Sequence, residues 1–390
     1  MNPESITSQN QQNELTWVDI SRPALANNIL QFKRLLRPET KLCACVKSNA
    51  YGHGLVKSAR VFLECGADWL SVNALYEARQ LRRAGISAPI CILGYVPCAS
   101  IAEALALDCR LVVYNYETIN AIAKATQESG CPARLHIKVE TGTNRQGIPP
   151  EELVDFAKYI KRFESMYLEG LSTHFADIED TTDHSYAALQ IQRFENAIGL
   201  LETQGIDIPI KHCANSAAAI LFPQTHFQLI RPGIACYGMW PSKETYVSYV
   251  VERKNGFTLK SAFTWKACIA QIKNVVAGEY IGYGCSFKTS HATRLAIIPI
   301  GYYDGYDRGI SNGYVLIRGQ RAALRGRICM NIIMVDITDI PRVSVEDEVV
   351  LIGRSGDEII STDDFARWSG TINYEVTTRI NDRIPRMLVD

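Results

Sequence analysis

The sequence has no excess of charge of either sign, because 41 Lys and Arg residues balance 41 Asp and Glu residues. A protein without a strongly basic or acidic balance is not expected to bind nucleic acid or an anionic membrane surface. No apolar run is long enough to span a bilayer, and residues 1–12 lack the basic start and apolar stretch of a secretory signal. We therefore expect a small-molecule partner, no membrane association and a disordered arm over residues 1–14.

Patterns for metal, disulfide and nucleotide chemistry are also missing. The twelve cysteines are scattered and form no C-x-x-C pair, which argues against a zinc site and against a disulfide framework. We expect reduced thiols that pack as small apolar groups, and hence a cytoplasmic protein. The G-H-G pattern at 52–54 lacks the third glycine of a dinucleotide fingerprint. The sequence predicts neither a metal nor NAD.

The 390 residues allow either one large barrel or two domains. As far as about residue 240, short apolar β-type runs alternate with longer amphipathic stretches, which is the pattern of βα units in a parallel sheet. Eight such strands indicate a closed (β/α)8 TIM-type barrel rather than an open sheet. The predicted strands cover residues 42–46, 69–72, 90–93, 111–114, 134–139, 168–173, 210–213 and 228–231.

A change in the hydrophobic pattern of the sequence marks a second domain. After residue 255 the long helical periods disappear, and β-type runs such as 263–276, 294–299 and 334–337 replace them. The segment 241–256 is polar, aromatic-rich and only weakly periodic, as expected of a domain boundary. We therefore predict an α/β protein with a barrel over residues 15–250 and a mostly β C-terminal domain over residues 251–390.

The reactive groups of such a barrel lie at the carboxyl ends of its strands. The first predicted strand ends at Val46, and Lys47 follows directly. An amine buried without a carboxylate beside it loses its proton more easily, and it can then form a Schiff base with a carbonyl cofactor. A surface lysine whose charged end reaches solvent is the alternative. Spacing alone favours the surface lysine, so the assignment of Lys47 depends on the residues at the other strand ends.

Polar and titratable residues crowd the same rim of the predicted barrel. Asn215 and Ser216 offer an amide, a hydroxyl and backbone N–H groups at a helix start, and Gly233 allows the backbone to approach an anion closely. Together they can form a phosphate cup after strands seven and eight. A plain helix N-cap at Asn215 and a structural ion pair at Arg231 are the alternatives. The other candidates at strand ends are Lys138, Arg145, His174 and His212.

Nine ordered motifs carry a family resemblance that covers nearly the whole chain. Their order and spacing are far more specific than any one of them. In this sequence they are VKSNAYGHG from Val46, KVETGTNRQG from Lys138, STHFAD from Ser172, HCANSAA from His212, RPGIACYG from Arg231, GYGCSF from Gly282, GYYDGYDR from Gly301, GRICMNIIMVD from Gly326 and TINYEV from Thr371. The set closely resembles the alanine racemases, pyridoxal 5'-phosphate enzymes of fold type III that join an α/β barrel to a β domain.

The resemblance implies a racemase that interconverts L-alanine and D-alanine and supplies D-alanine for peptidoglycan. Lys47 is expected to carry the cofactor and act as one base, and Tyr283 is similar to the second base on the opposite face of the substrate. A free phenol has a pKa of about 10, so His174 is expected to stabilise its deprotonated form. In the family this tyrosine comes from the partner subunit, together with Met330, which implies a homodimer with shared active sites.

The resemblance also implies roles for the other rim residues. Arg231 is expected to face the pyridine nitrogen of the cofactor and His212 to orient it; because a guanidinium keeps its proton, the ring nitrogen stays neutral. Arg145 resembles the residue that binds the phenolic oxygen of the cofactor and the substrate carboxylate, and Lys138 resembles a lysine that is carbamylated in many members. The expected cofactor-binding residues also include Tyr51, Asn215, Ser216, Gly233, Ile234 and Tyr374.

Two departures from the family pattern concern the site, and one agreement concerns the substrate. Asn331 occupies a position that is more often Asp, and Asn144 replaces a more usual Gly before Arg145. Tyr374 favours alanine, because members that act on serine tend to carry Asn there. A broader amino-acid or serine racemase is one alternative. A non-catalytic protein that carries pyridoxal phosphate is another, although such single-barrel proteins lack a second domain.

Only two of the seven histidines, His174 and His212, receive a role in this interpretation. We expect the other five to be ordinary polar residues, namely His53, His136, His184, His226 and His291.

Overall fold

A computed structural model describes residues 14–252 and 256–390. The predicted disordered arm, residues 1–14, lies outside the described residues except for its last member. The described chain divides into two compact units, which we call the barrel unit, Ala24–Lys260, and the β unit, which combines the described residues up to Pro23 with Ser261–Asp390. The sequence placed the limits of the barrel domain at 15 and 250, so the units differ from the predicted bounds at both ends.

Eight parallel strands form the centre of the barrel unit. In chain order these strands, β2 to β9, are Lys41–Cys45, Trp69–Val72, Ile90–Ile92, Cys109–Val113, Ala133–Lys138, Met166–Ser172, Ile210–His212 and Leu229–Ile230. They pair in the order β8-β7-β6-β5-β4-β3-β2-β9. The Gln228 N–H donates to the Lys211 oxygen at 3.3 Å and the Arg231 N–H to the Ala214 oxygen at 2.9 Å, which nearly closes the ring between β8 and β9. The predicted TIM-type barrel is confirmed.

Burial explains why these short apolar runs become strands. All five residues of β5 are buried, as expected for a strand with barrel interior on one side and helices on the other. The helices bury a single stripe instead, as Leu153, Phe156 and Ile160 do in one of them. All eight predicted strands are present, with ends that shift by at most two residues. The helical segments of this part of the chain are Arg22–Leu35, Lys47–Tyr51, Leu55–Glu64, Leu75–Arg83, Ile101–Ala106, Tyr116–Ser129, Leu153–Ile160, Ser185–Thr203, Ser216–Leu221 and Lys243–Glu252.

Strands dominate the β unit, and the prediction of a mostly β fold after the barrel is confirmed. After Thr16–Ser21 (β1), the strands β10 to β20 are Phe263–Cys268, Gln271–Val275, Tyr280–Ile281, Phe287–Lys288, Thr293–Ile298, Tyr314–Ile317, Gln320–Ala323, Ile333–Asp336, Glu348–Ser355, Glu358–Ile360 and Arg386–Val389. The largest sheet has the order β16-β15-β18-β10-β1-β20. Two helices, Thr362–Ser369 and Asn373–Arg379, complete the unit. Its core includes the rings of Trp265, Tyr306 and Phe365, which pack in tilted and edge-to-face arrangements.

The first strand, β1, differs from the sequence interpretation, which assigned residue 15 onwards to the barrel. β1 pairs antiparallel with β10 and parallel with β20, so it belongs to the β unit. Its central residues Val18, Asp19 and Ile20 are buried, and Lys266 of β10 forms an ion pair with Asp19 at 3.0 Å. Its partner in β10 lies 250 residues away along the chain, so no local pattern signals the pairing.

Within the described ranges, no helix combines the length and the apolar character needed to cross a membrane. All twelve cysteines are free, and six of them are buried. The part of the chain that the structure describes contains no cluster of His, Cys, Asp and Glu side chains suited to a metal ion.

Candidate active site

Lys47 follows β2 after one residue, and the backbone then takes an unusual turn. Residues 48–51 all have positive φ angles, between 52° and 55°, although none of them is glycine. A left-handed conformation costs a non-glycine residue about 1–2 kcal/mol, so four in succession must be held by their surroundings. Gly52 and Gly54 continue the run with φ angles of 84° and 95°. The segment that begins at Lys47 is therefore strained, and its conformation depends on specific contacts.

Two side chains of the same segment help to hold this left-handed turn, residues 48–51. The Leu55 N–H donates to the side-chain oxygen of Asn49 at 2.8 Å. Nδ1 of the buried His53 lies 3.1 Å from the Ala50 oxygen and 3.0 Å from the Tyr51 oxygen. Because both neighbours are acceptors, Nδ1 carries the ring proton and donates it to them. His53 therefore stabilises the turn, a contribution that its position in the sequence did not reveal.

Tyr51, Ser216 and Gly233 form a small polar cup after the strands β8 and β9. The Gly233 and Ala235 N–H groups donate to the Ser216 hydroxyl oxygen at 2.9 and 3.3 Å. A Cβ atom at position 233 would lie 2.2 Å from the Tyr51 hydroxyl oxygen, so a glycine is needed to leave that space open. Ile234, which follows Gly233, is buried. The structure thus brings together four residues for which the resemblance implies phosphate contacts.

Asn215 occupies the N-cap position of the helix Ser216–Leu221. Its side-chain oxygen accepts the Ala218 N–H at 3.0 Å, which is the usual contact of an asparagine at this position. The helix-cap interpretation therefore accounts for the carbonyl end of this side chain. A direct contact between Asn215 and a cofactor stays a prediction.

The residues of this cup fit a phosphorylated carbonyl cofactor. A backbone hydrogen bond from the Cys45 N–H to the Pro232 oxygen, 2.9 Å long, joins the end of β2 to the segment that contains Gly233. The Lys47 amine therefore belongs to the chain segment next to the hydroxyl and N–H groups of the cup. An amine for the carbonyl carbon and neutral hydrogen-bonding groups for the phosphate are what such a cofactor requires. The missing Cβ of Gly233 allows the Tyr51 hydroxyl to approach these groups closely.

A row of buried polar side chains runs from Arg231 through the barrel unit. The Arg231 guanidinium donates to Nδ1 of His212. Nε2 of His212 lies 2.7 Å from Nδ1 of His136, and Nε2 of His136 lies 3.1 Å from the Glu169 carboxylate. Arg110 forms an ion pair with the same carboxylate at 3.3 Å. We call the first four residues the Arg231–Glu169 chain.

The electrostatics of the Arg231–Glu169 chain fix the position of each proton. Burial favours a neutral Glu169, but the hydrogen bond from His136 and the charge of Arg110 outweigh it and hold the pKa of Glu169 below its ordinary value. Burial lowers the pKa of His136, and it lowers that of His212 further, so both rings are neutral near neutral pH. His136 then donates from Nε2 to Glu169 and accepts at Nδ1 from His212, whose own Nδ1 accepts from Arg231. All three hydrogen bonds are donated in the direction of Glu169.

Sequence reasoning missed Glu169 and classified His136 as an ordinary polar residue. Both interrupt apolar strands at buried positions, with 9% and 0% of their surface exposed, where a polar group without a partner would be costly. Gly170 makes room for the imidazole, since a Cβ there would lie 2.0 Å from Nδ1 of His136. The sequence did contain a signal for this pair. A charged residue and a histidine lie inside neighbouring apolar strands, and a glycine follows the charged residue.

Glu140 anchors the loop that contains Arg145. Its carboxylate accepts the Gly142 and Thr143 N–H groups at 2.5 and 2.6 Å. Although burial opposes ionisation, these bonds and those from the next two N–H groups hold the pKa of Glu140 below its ordinary value. Asn144 has a φ of 52°, a left-handed conformation that asparagine adopts more readily than most residues. Asn144 can therefore take the place of the more usual glycine without changing the path of the loop.

Lys138 ends β6 in a buried position, with its amine 3.4 Å from the side-chain oxygen of Gln146. Burial lowers the pKa of Lys138 to about 8, and the positive charges of Arg145, Arg231 and Lys47 act in the same direction. About a tenth of the amine is therefore unprotonated at pH 7, far more than for an ordinary lysine. The neutral amine is the form that can react with carbon dioxide.

His174 lies two residues after β7, near the same positive charges. Burial and the charges of Arg231 and Arg145 lower the pKa of His174 well below its ordinary value. Its backbone oxygen accepts the Thr143 hydroxyl at 2.5 Å and the Gln190 amide at 3.2 Å, which ties it to the Arg145 loop. A neutral imidazole can donate a hydrogen bond but contributes no charge. Any support that His174 gives to a phenolate is therefore limited to hydrogen bonding.

Three further predicted site residues belong to the β unit. Tyr283 and Met330 are exposed, with 69% and 54% of their surface accessible. They line one surface pocket together with Tyr302, Arg308 and Asn331. The two side chains that the resemblance associates with a partner subunit therefore lie on a common face, beside a positive charge. Tyr374, in the helix Asn373–Arg379, is half-buried, and its contact with a phosphate stays a prediction.

Asn331 has a partner within the β unit. Its side chain forms a hydrogen bond with the Asp304 carboxylate, which also accepts the Gly301 N–H at 2.9 Å. An aspartate at position 331 would bring two carboxylates together, whereas asparagine donates an amide proton. This contact gives a local reason for the departure from the family pattern.

Two family models match the chain, and together they cover most of it. Residues 20–241 match the model described as alanine racemase, N-terminal domain, and residues 262–388 match alanine racemase, C-terminal domain. Curated relatives include the alanine racemase of Methanococcus maripaludis, 41% identical over 95% of this chain and 98% of that protein. The alanine racemase of Leptospira interrogans is 40% identical over 96% of each chain.

Solved structures agree with these matches. The crystal structure of the alanine racemase from Bacillus anthracis with bound L-Ala-P has a TM-score of 0.90 and 36% identity, and the match covers 97% of this chain and 95% of that one. The alanine racemase of Clostridium difficile in complex with cycloserine has a TM-score of 0.88 and 33% identity, with 96% and 95% covered. The chain therefore belongs to the alanine racemase family, whose members are amino-acid racemases that depend on pyridoxal 5'-phosphate.

Proposed function

We propose that this protein interconverts L-alanine and D-alanine by a two-base mechanism in which Lys47 binds the cofactor, and that it supplies D-alanine for peptidoglycan. The observation that carries the proposal is the arrangement at the end of the barrel strands. Lys47 precedes a strained turn that ends at Tyr51, and Tyr51 meets Gly233 and Ser216 in a cup that fits a phosphate. An amine and a phosphate cup in one chain segment are the two attachments that the cofactor needs.

Racemisation requires two groups at the substrate Cα, because a proton leaves one face and another arrives on the opposite face. When bound, pyridoxal phosphate supplies an electron sink that makes the Cα proton acidic. The Lys47 amine removes or returns the proton on one face, and the Tyr283 phenol does so on the other. The 69% exposure of Tyr283 suits a side chain that completes a site on a second subunit.

Arg231 is proposed to donate a hydrogen bond to the cofactor ring nitrogen without giving up its proton. A guanidinium stays protonated at any pH that the protein meets. His212 orients the guanidinium, and two neutral imidazoles connect this contact to the Glu169 carboxylate. A neutral ring nitrogen makes a weaker electron sink, which discourages protonation at the wrong carbon.

The Arg231–Glu169 chain leads to a prediction about histidine tautomers. In 15N NMR of histidine-labelled protein, His136 and His212 should be neutral and protonated at Nε2, and should stay neutral as the pH falls through about 6.5. Glu169→Leu removes the acceptor of His136 and should shift the His136 Nε2 signal, whereas Glu169→Gln keeps an acceptor oxygen and should shift it less. Because Arg231 still donates to Nδ1 of His212, both rings should stay protonated at Nε2 in both variants. The His136→Gln and His212→Gln variants assign the signals. A proton on Nδ1 of His136 or His212, in the parent protein or in either Glu169 variant, would refute the proposed directionality.

Arg145 is proposed to bind the substrate carboxylate beside a carbamylated Lys138. A protonated Lys138 would repel Arg145, whereas a carbamate would attract it, as other charge-reversing modifications do. The pKa of about 8 supports this, because the unprotonated amine is the reactive form. The anchoring of the Arg145 loop by Glu140 supports a fixed position for the guanidinium.

A homodimer with shared sites is part of the proposal, as is a cytoplasmic location. Tyr283 and Met330 line one pocket on the surface of the β unit, as expected of side chains that a partner subunit receives. The cytoplasmic location is supported by twelve free cysteines, since oxidising compartments favour disulfides.

Racemase assays on a panel of L-amino acids, with and without added pyridoxal phosphate, test the function. We expect alanine to be racemised in preference to serine, because Tyr374 is the residue that members acting on alanine tend to carry. A preference for serine would replace the substrate assignment by the broader alternative. Cofactor binding without racemisation of any amino acid would favour the non-catalytic alternative, against which the presence of the β unit argues.

A further inference from the structure

The left-handed turn is held from outside by a buried carboxylate of the next βα unit. Glu77, in the first turn of the helix Leu75–Arg83, has only 1% of its surface exposed. One carboxylate oxygen, Oε1, accepts the Ser48 N–H at 2.5 Å. The other, Oε2, accepts the Asn73 and Ala74 N–H groups at 2.8 and 3.0 Å. A single side chain thus joins the turn after β2 to the turn after β3.

The contacts at the two oxygens have different consequences. The bonds to Asn73 and Ala74 cap the helix to which Glu77 itself belongs, which is a local and common role for a glutamate in this position. The bond to Ser48 spans 29 residues and reaches the first residue of the strained turn. Since Ser48 directly follows Lys47, this bond fixes the backbone where the proposed cofactor lysine leaves the strand.

We propose that Glu77 is a positioning residue that holds residues 48–51 in the left-handed conformation and thereby prepares Lys47 and Tyr51 for the cofactor. The proposal rests on the function proposed above for Lys47 and Tyr51. Four non-glycine residues in this conformation would relax towards ordinary backbone angles if nothing opposed it. A change in the path of residues 48–51 would move the Tyr51 hydroxyl away from Gly233 and would move Lys47 relative to the cup.

Glu77→Gln separates the two roles of the carboxylate. An amide has one acceptor oxygen and one donor NH2 group. Two N–H donors meet at Oε2 and one at Oε1, so the amide oxygen is expected to face Asn73 and Ala74. The NH2 group then opposes the Ser48 N–H, and two donors face each other. The variant therefore keeps the hydrogen bonds to Asn73 and Ala74 that cap the helix and loses the hydrogen bond to Ser48.

Hydrogen exchange of the apoprotein measures the turn directly. In Glu77→Gln we expect exchange in peptides covering residues 48–52 to become at least about tenfold faster, with little change at residues 73–78. The matched control is Glu103→Gln, which breaks an exposed ion pair with Arg79 of the same helix but makes no bond to Ser48, and it should leave both peptides unchanged. Unchanged exchange at 48–52 in Glu77→Gln would overturn the proposal.

The second measurement is the dissociation constant for pyridoxal phosphate, in Glu77→Gln and in a double variant that should restore binding. Titration of the apoprotein with pyridoxal phosphate should give a dissociation constant at least about tenfold higher in Glu77→Gln. Adding Ser48→Gly should recover much of this loss, because glycine adopts the left-handed conformation without strain. A role in general stability would not be rescued in this way, so a double variant as weak as Glu77→Gln would contradict the proposal, as would an unchanged dissociation constant.

The role of Glu77 can be tested even if the function proposed for Lys47 is wrong. If pyridoxal phosphate does not attach to Lys47, the proposed function fails, while the exchange result still reports whether Glu77 holds the turn. Should Glu77→Gln fail to fold, the single variant Ser48→Gly retains the contact and removes part of the strain. It should then bind pyridoxal phosphate at least as tightly as the parent, and weaker binding would contradict a turn held against strain.

Discussion

Lys47→Ala should lose both the visible absorbance of bound pyridoxal phosphate and the racemase activity. The substitution removes the only amine of the segment beside the cup of Tyr51, Ser216 and Gly233. It also removes one of the two groups that we propose to exchange protons with the substrate Cα. We expect alanine racemisation to fall by more than about a thousandfold, the upper range for a single acid–base group. Absorbance spectra and racemase rates of the purified proteins measure both effects.

Lys41→Ala is the matched control for this experiment. Lys41 is an exposed residue at the opposite end of the same strand, so its removal should change neither the spectrum nor the rate. The fold should survive in both variants, because neither side chain belongs to the apolar core. A cofactor band retained in Lys47→Ala would remove Lys47 from the mechanism.

Tyr283→Phe should stop racemisation while leaving half of the proton chemistry in place. Phenylalanine keeps the ring but has no hydroxyl, so only the Lys47 side of the substrate retains a base. We expect a loss of about a hundredfold to ten-thousandfold in rate. In deuterated water, the parent should incorporate deuterium at Cα starting from either enantiomer, and the variant starting from only one. The control is Tyr280→Phe, since Tyr280 is also exposed. Racemisation at the parent rate in Tyr283→Phe would exclude it as the second base.

Mixing the two inactive variants tests whether the sites are shared. In a dimer of one Lys47→Ala chain and one Tyr283→Phe chain, one site would have both bases and the other would have neither. Random assembly should therefore restore about a quarter of the parent activity per dimer. Two bases supplied by the same chain would give no recovery, because each chain lacks one of them.

The barrel was readable from the sequence because its determinants are local. Each strand is a short apolar run that helices cover, and the longer amphipathic stretches between these runs form helices such as Tyr116–Ser129. Lys47 and Ser216 could be selected as site candidates for the same reason, since they lie near strand ends, but the family resemblance supplied their roles. The resemblance, rather than spacing, supplied Tyr283, whose exposed position in the β unit has no local signature.

Other parts of the site depend on distant contacts that a sequence does not display. Ser48 to Tyr51 contain no glycine and only one asparagine, so their composition does not predict four successive left-handed residues. The turn exists because groups such as Glu77 and His53 bind it from elsewhere. The Arg231–Glu169 chain likewise needs three strands to bring its members together, which is why His136 resembled an ordinary buried histidine.

The position of β1 in the large sheet has a consequence for synthesis on the ribosome. This strand emerges first, but its antiparallel partner, β10, is made only after the whole barrel unit has been translated. All eight barrel strands are available by then, and domains generally fold as units during translation. β1 therefore stays unpaired until β10 reaches it, and this pairing closes a loop of about 250 residues. We therefore expect nascent chains whose first 260 residues have left the ribosome to resist protease from residue 24 onwards while residues 16–21 remain open to cleavage.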